Sequence, residues 1–231
     1  LRTSDISRIE VLRGSQSALY GGSAIAGVVS ITTKRSEELG FSQTIAVEAG
    51  SYGTANATYS LGYSDDRWSA ALNLSTFTTD GFSAYDTIPR TPNLEKDGLT
   101  GTQISFSASY KVNDVLTLGI NGLAGVSEAE YDDFGADGAN LTEKTEHSLS
   151  AFAQWELGET LHELRLSSFA VDRNLFEPVG ASVPSYFYGD RLALSYQGTT
   201  ELSSALTLVY GGDSTIETAT TSAQPNGRDT R

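Results

Sequence analysis

The stretch IEVLRGSQSALYGGSAIAGVVSITTKR, from Ile9 to Arg35, is where the reading of this chain starts. Ile9-Glu10-Val11-Leu12 has the make-up of a short strand, and Arg13-Gly14 of a turn. Ser15 is a helix N-cap for a helical turn over Ser15–Leu19, which Tyr20-Gly21-Gly22 then breaks. Gly27 to Lys34 returns as a second strand. By itself the stretch describes a small α+β hairpin unit with glycines at its bends.

From about Thr44 onward the period is two. Trp68, Ala70, Leu72 and Leu74 share one face of a strand, and Ser69, Asn73 and Ser75 the other. Ile104, Phe106, Ala108 and Tyr110 repeat the pattern. So do Leu116/Leu118/Ile120, Leu149/Ala151/Ala153/Trp155, Leu164/Leu166, Leu192/Leu194/Tyr196 and Leu206/Leu208/Tyr210. The spacing predicts about nine strands, near 42–50, 53–64, 67–79, 100–111, 114–128, 145–157, 161–172, 188–198 and 204–217.

Charge placement and loop length separate a membrane barrel from a soluble β-sandwich binding module. The apolar faces carry no charged residue, whereas Glu48, Arg67, Glu156, Glu163, Arg165 and Arg191 fall on the opposite parity. On a lipid face one charge near the midplane costs about 2–4 kcal/mol. Connections near Asp65, Asn113, Gly158 and Thr200 are short, while those at 80–99, 129–144 and 173–187 are long. This sorting matches the short periplasmic turns and longer extracellular loops of outer-membrane barrels. Tyr63, Trp68, Tyr110, Trp155 and Tyr196 gather at the short-turn ends, where amphipathic rings suit the headgroup region. A slightly negative mean hydropathy is no objection, because alternate strand residues face a polar lumen.

Composition narrows the function classes. A net charge of −14 argues against a nucleic-acid partner, and the absence of cysteine removes thiol catalysis, disulfides and Cys-ligated metals. With only His147 and His162, a multi-histidine metal centre is not expected. No nucleophile–base constellation or metal-ligand spacing stands out, although composition alone does not exclude an enzyme.

The opening stretch resembles the end of the plug domain of TonB-dependent outer-membrane receptors. The match runs through Arg8-Ile9-Glu10-Val11-Leu12-Arg13-Gly14, Ser17-Ala18-Leu19-Tyr20-Gly21, Ala24-Ile25, Gly27-Val28 and Ile31-Thr32. It departs at Ser15, where the family usually has Pro, and at Ala26, where Gly is usual. The plug-motif positions carried over are Glu10, Arg13, Gly14, Tyr20, Gly21 and Gly27. The resemblance implies a mainly all-β fold: a partial antiparallel transmembrane β-barrel (38–231) after the end of a small α+β plug (1–37). A passive porin or adhesion barrel would have no plug. The family barrel has about 22 strands, so the chain is expected to be a piece that lacks the TonB box, the front of the plug and the remaining strands.

What the resemblance implies is energy-coupled import of a scarce ligand, a ferric siderophore, haem or cobalamin, with outer-membrane lipid and TonB as partners. A DG-containing loop around Asp97-Gly98 leans towards the cobalamin branch. That branch uses loop aspartates for calcium, and by position Asp86, Asp97 and Asp132 are the candidates, with Asp133 and Asp137 nearby. Acidic loop residues are more often simply solvated, and no resident cofactor is expected. Phe82, Tyr85, Tyr131, Phe134, Tyr186, Phe187 and Tyr188 are the expected ligand contacts, since flat rings bury planar ligands at low entropic cost. The alternative is that they anchor loops at the outer interface. Lumen charges Glu48, Arg67, Glu163, Arg165 and Arg191 are expected to face the plug, with Arg13 and Glu10 as partners.

Overall fold

The computed structural model describes residues 6–15, 25–33, 39–83, 85, 94–133, 136–176, 185–222 and 224–230. Among the described residues, two antiparallel sheets contain all the strands. β1 (Ile6–Arg13) and β2 (Gly27–Thr33) form a hairpin in which Val11 pairs with Val29 and Arg13 with Gly27. Gly27 is needed there, because a Cβ would meet the Leu12 carbonyl oxygen at 2.5 Å. The helical turn expected over Ser15–Leu19 falls mostly outside the described residues, as do Tyr20 and Gly21.

The second sheet is a meander of neighbouring strands. It runs β3 (Gly40–Ala49), β4 (Ala55–Ser64), β5 (Trp68–Thr79), β6 (Leu99–Lys111), β7 (Leu116–Asp133) and β8 (Ala136–Leu157). It continues through β9 (Thr160–Phe176), β10 (Ser185–Ser203), β11 (Leu206–Thr221) and β12 (Gln224–Thr230), and every strand pairs with its sequence neighbour. The nine expected strands are β3 to β11. β12 is a tenth, whose polar sequence QPNGRDT carries no apolar alternation to announce it.

Burial across this sheet is inverted relative to a water-soluble protein. On β5, Asn73 and Ser75 are 5% and 1% exposed while Leu74 between them is 45% exposed. Their register partners on β6 repeat this: Gln103 and Ser105 are buried, and Ile104 and Phe106 exposed. A sandwich would cover Leu74 and Ile104 with a second sheet. Here short polar side chains crowd one face, and the other presents an apolar surface that the described residues leave uncovered, as a lipid-facing wall does. No helix of the described residues is long and apolar enough to cross a membrane, which is no constraint on a barrel.

The height of the apolar band can be read along β8. It begins at Trp155, runs through Ala153, Ala151 and Leu149, and ends at Thr145, ten positions away. A tilted transmembrane strand needs about 9–11 residues. One row above, in register, stand Glu128 and Glu143; Asp172 pairs with Thr145. At the lower border, Trp68 packs on Tyr110 with ring centroids 4.5 Å apart, and Trp155 stacks on His162 at 5.1 Å. The short turns below are closed by side chains: Asp65 accepts from the Arg67 and Trp68 amides, and Asn113 from those of Val115 and Leu116.

At the opposite end the strands overshoot the band. The long loop expected at 129–144 is replaced by ladder, since β7 continues to Asp133 and β8 starts at Ala136. Above the bilayer both faces meet water, so apolar alternation vanishes although backbone pairing continues. That is why the sequence there reads as a loop. Likewise β9 extends to Phe176 and β10 begins at Ser185, leaving a shorter connection than expected.

Candidate functional site

The overshooting strands carry the connection between β5 and β6, of which residues 80–83, 85 and 94–98 are described. Its two ends cross closely. The Asp80 amide donates to the Tyr52 carbonyl (2.9 Å) in the β3–β4 turn, where Tyr52 has a φ of 60°. At Gly81 a Cβ would collide with the Asp97 carbonyl, so only glycine lets the strands of the loop pass. Lys96 pairs with Asp80 at 3.1 Å.

Asp132 on β7 is the hub of this end. Its Oδ2 accepts from the Tyr85 amide at 2.6 Å and from the Ser83 hydroxyl at 3.2 Å. Its Oδ1 accepts from the Gly138 amide at 3.2 Å. Gly98 is tied to Glu130 by its amide to Oε2 (2.8 Å), and the Glu95 amide donates to Asp137. Glu95, Asp97 and Asp132 each offer a carboxylate oxygen, all within 4.8 Å of one another. Burial lifts the Glu95 carboxyl above its usual range, reinforced by the negative charge of Asp137, Asp132, Asp97 and Glu130. Burial also pushes Asp132 up, but the Gly138 and Tyr85 amides, the Ser83 hydroxyl and Asp97 outweigh it, so the carboxyl titrates below its usual range. The sequence pointed to Asp97 and Asp132 and passed over Glu95. Asp86 lies outside the described residues, as does the Asp133 side chain.

The aromatic candidates separate. Phe82 is exposed and packs on Tyr52 at 5.4 Å. Tyr85 joins through its amide to Asp132, and Tyr131 is half-buried on β7 beside it. Phe134 lies outside the described residues. Tyr186, Phe187 and Tyr188 are not in a loop but on β10, so neighbours alternate faces. Tyr186 and Tyr188 stack at 4.9 Å on the outward side, in register with Asn174 and Asp172, where interface anchors belong. Phe187 faces inward, paired with Arg173, which in turn pairs in register with Lys144. Arg173 makes no ion pair among the described residues. This inward row of two cations and a ring was not read from the sequence, because β8 and β9 were expected to stop short of it.

Lower on the inner wall the charges pair with one another. Arg165 donates to Glu163 at 2.7 Å and to the Ser150 hydroxyl, and its guanidinium lies 5.1 Å from the Phe152 ring centroid. Arg191 meets its register partner Glu217 at 3.4 Å, and Glu48 accepts from Asn56. Glu10 on the plug hairpin pairs with Arg8, two residues away. The expected pairing of Glu10 and Arg13 with the wall is therefore not what the described residues show. Short same-face pairs satisfy these charges locally. The hairpin approaches the wall instead through Ile31 and Thr32, across a cavity of about 290 Å³ that Ser107, Ser109, Asn121 and Arg165 also line.

Comparison with known proteins agrees with this geometry. Residues 1–28 match the family model described as the TonB-dependent Receptor Plug Domain. The vitamin B12 transporter BtuB of Photobacterium profundum is 33% identical over 135 residues, 55% of this chain and 21% of BtuB. The ferric-catecholate import receptor Fiu of E. coli K12 superposes with a TM-score of 0.75 at 14% identity, over 94% of this chain and 40% of Fiu. The ferripyoverdine receptor of Pseudomonas aeruginosa gives 0.73 at 10% identity, over 94% of this chain and 33% of that receptor. The chain thus spans well under half the length of these relatives. The N-terminal residues, through β1 into the start of β2, are similar to the end of a TonB-dependent receptor plug, and the sheet has the fold of the corresponding barrel wall in the two receptor structures.

Proposed function

We propose that the intact protein is a TonB-dependent receptor of the bacterial outer membrane, importing a scarce ligand of the ferric siderophore or cobalamin kind. It is a transporter rather than an enzyme. The observation that carries this is the junction of a plug hairpin with a sheet that is polar inside and apolar outside. A passive porin or adhesion barrel accounts for the sheet but not for the hairpin. Ligand capture falls to the overshooting end, where Phe82, Tyr85, Tyr131 and Phe187 supply flat apolar area and Arg173 supplies inward positive charge, its neighbour Lys144 being paired with Glu146 at 3.1 Å. The identity to BtuB favours cobalamin over a ferric chelate. The carboxylates of Glu95, Asp97 and Asp132 are hard oxygen donors suited to calcium. Bound there, the ion would cancel their mutual repulsion and order the loop. Uptake of labelled cobalamin by a strain whose only such receptor is the full-length protein tests the reading, with and without TonB. Accumulation that needs TonB is expected. Uptake indifferent to TonB would refute coupling, and uptake of ferric siderophores alone would refute the cobalamin preference.

A further inference from the structure

The lipid-facing side of the lower border holds a polar network that import does not use. In one register row lie Trp155 on β8, His162 on β9, Gly198 on β10 and Tyr210 on β11. Gly198 is a notch in that row, filled by the Tyr210 ring; a Cβ there would meet Tyr210 Cζ at 2.5 Å. Tyr196, one row above, reaches down so that its hydroxyl lies 2.8 Å from His162 Nδ1. The Tyr196 ring lies tilted against that of Tyr210, with centroids 6.4 Å apart. Trp155 stacks on the other side of the imidazole at an interplanar angle of 13°. In the tautomer in which the Tyr196 hydroxyl donates to Nδ1, the imidazole carries its proton on Nε2. That nitrogen has no partner among the described residues.

A hydroxyl hydrogen-bonded to an imidazole is an odd thing to place on an apolar surface. Each polar group there costs free energy unless it is hydrogen-bonded. At the headgroup level the available acceptor is a phosphodiester. Just below, the short turns carry Glu159 and Glu201, whose backbones are hydrogen-bonded at 3.2 Å. Acidic turns disfavour an anionic headgroup and favour one that ends in an ammonium. The ring faces of Trp155 and Tyr210 favour the same cation.

We propose that Trp155, His162, Tyr196 and Tyr210 form a seat for one phospholipid of the periplasmic leaflet with an ammonium-bearing headgroup. The phosphodiester accepts from His162 Nε2, and the ammonium lies towards the rings and the acidic turns. The proposal rests on the outer-membrane reading above, and the experiment separates the two. The intact receptor is first reconstituted into liposomes; failure to insert into any composition would refute the membrane reading itself. Inserted protein is then extracted from phosphatidylethanolamine or phosphatidylglycerol vesicles, and retained lipid is counted by native mass spectrometry. Phosphatidylethanolamine is expected to be retained preferentially. His162→Ala should lower its retention by roughly fivefold, the size expected for one net hydrogen bond. Tyr196→Phe, which keeps the ring, should lower it similarly, and His162→Gln, which restores an N–H near Nε2, should recover part of it. Equal retention of the two lipids, or unchanged retention in both His162→Ala and Tyr196→Phe, would overturn the proposal.

Discussion

Gly122 on β7 lies beneath the ring of its register partner Phe106 on β6, so closely that a Cβ would stand 2.5 Å from Phe106 Cε1. Gly119 stands in the same relation to its partner Phe152, on the inner face. In both pairs the ring covers the backbone that glycine exposes, which pins strand register. Gly122→Ala should therefore destabilise the intact receptor by about 1–3 kcal/mol, the usual cost of overpacking. Urea unfolding in bilayers would measure it. Combining it with Phe106→Ala should cost less than the sum of the two single changes; strict additivity would show that the ring is not the obstacle.

The assignment of faces is tested by one pair of neighbours on β9. Leu166 is on the exposed apolar side, in register with Ala151 and Leu194, and Ser167 is on the inner side. Leu166→Arg should cost about 2–4 kcal/mol in a bilayer, and Ser167→Arg much less. The reverse order of folded fractions would mean that the faces have been exchanged.

The loop end should respond to pH in two opposed ways. Glu95 has a raised carboxyl, so its contribution to stability is present below the ordinary 4.5 and is lost as pH rises through its folded value. Asp132 is lowered, so its contribution is present above the ordinary 3.8 and is lost as pH falls through its folded value. Attachment is then tightest in mildly acid solution, where Glu95 is protonated and Asp132 still ionised. Hydrogen exchange of the Tyr85 and Gly138 amides, which Asp132 holds, should show this maximum against pH. Glu95→Gln should hold protection high up to neutral pH, and Asp132→Asn should abolish it throughout.

Calcium at the same carboxylates gives a further expectation. At neutral pH, added calcium should slow proteolysis of the β5–β6 connection in the wild type and leave Asp132→Asn unaffected. Protection by magnesium at equal concentration would argue for general screening rather than a calcium site, since magnesium prefers fewer protein ligands.

Much of this could be seen in the residues. The alternation of Leu74 or Ile104 with Asn73 or Gln103 located strands and faces, because the bilayer enforces it. Polar β12 and the upper halves of β7 and β8 were invisible for the complementary reason: beyond the lipid nothing selects for apolar parity. The misplacement of Tyr186 and Tyr188 follows directly, since a strand taken for a loop loses its alternation of faces. Glu95 was passed over because its proximity to Asp132 depends on a long-range crossing of chain that no local pattern announces.

Asp132 binds Tyr85, Ser83 and Gly138 with a single carboxylate, so the β5–β6 connection and the β7–β8 hairpin share one fastening. Neither can be displaced while that fastening holds. The rim on this side of the mouth therefore has one degree of freedom where two separate connections would have had two. Any ligand or ion that touches either segment sets the posture of both.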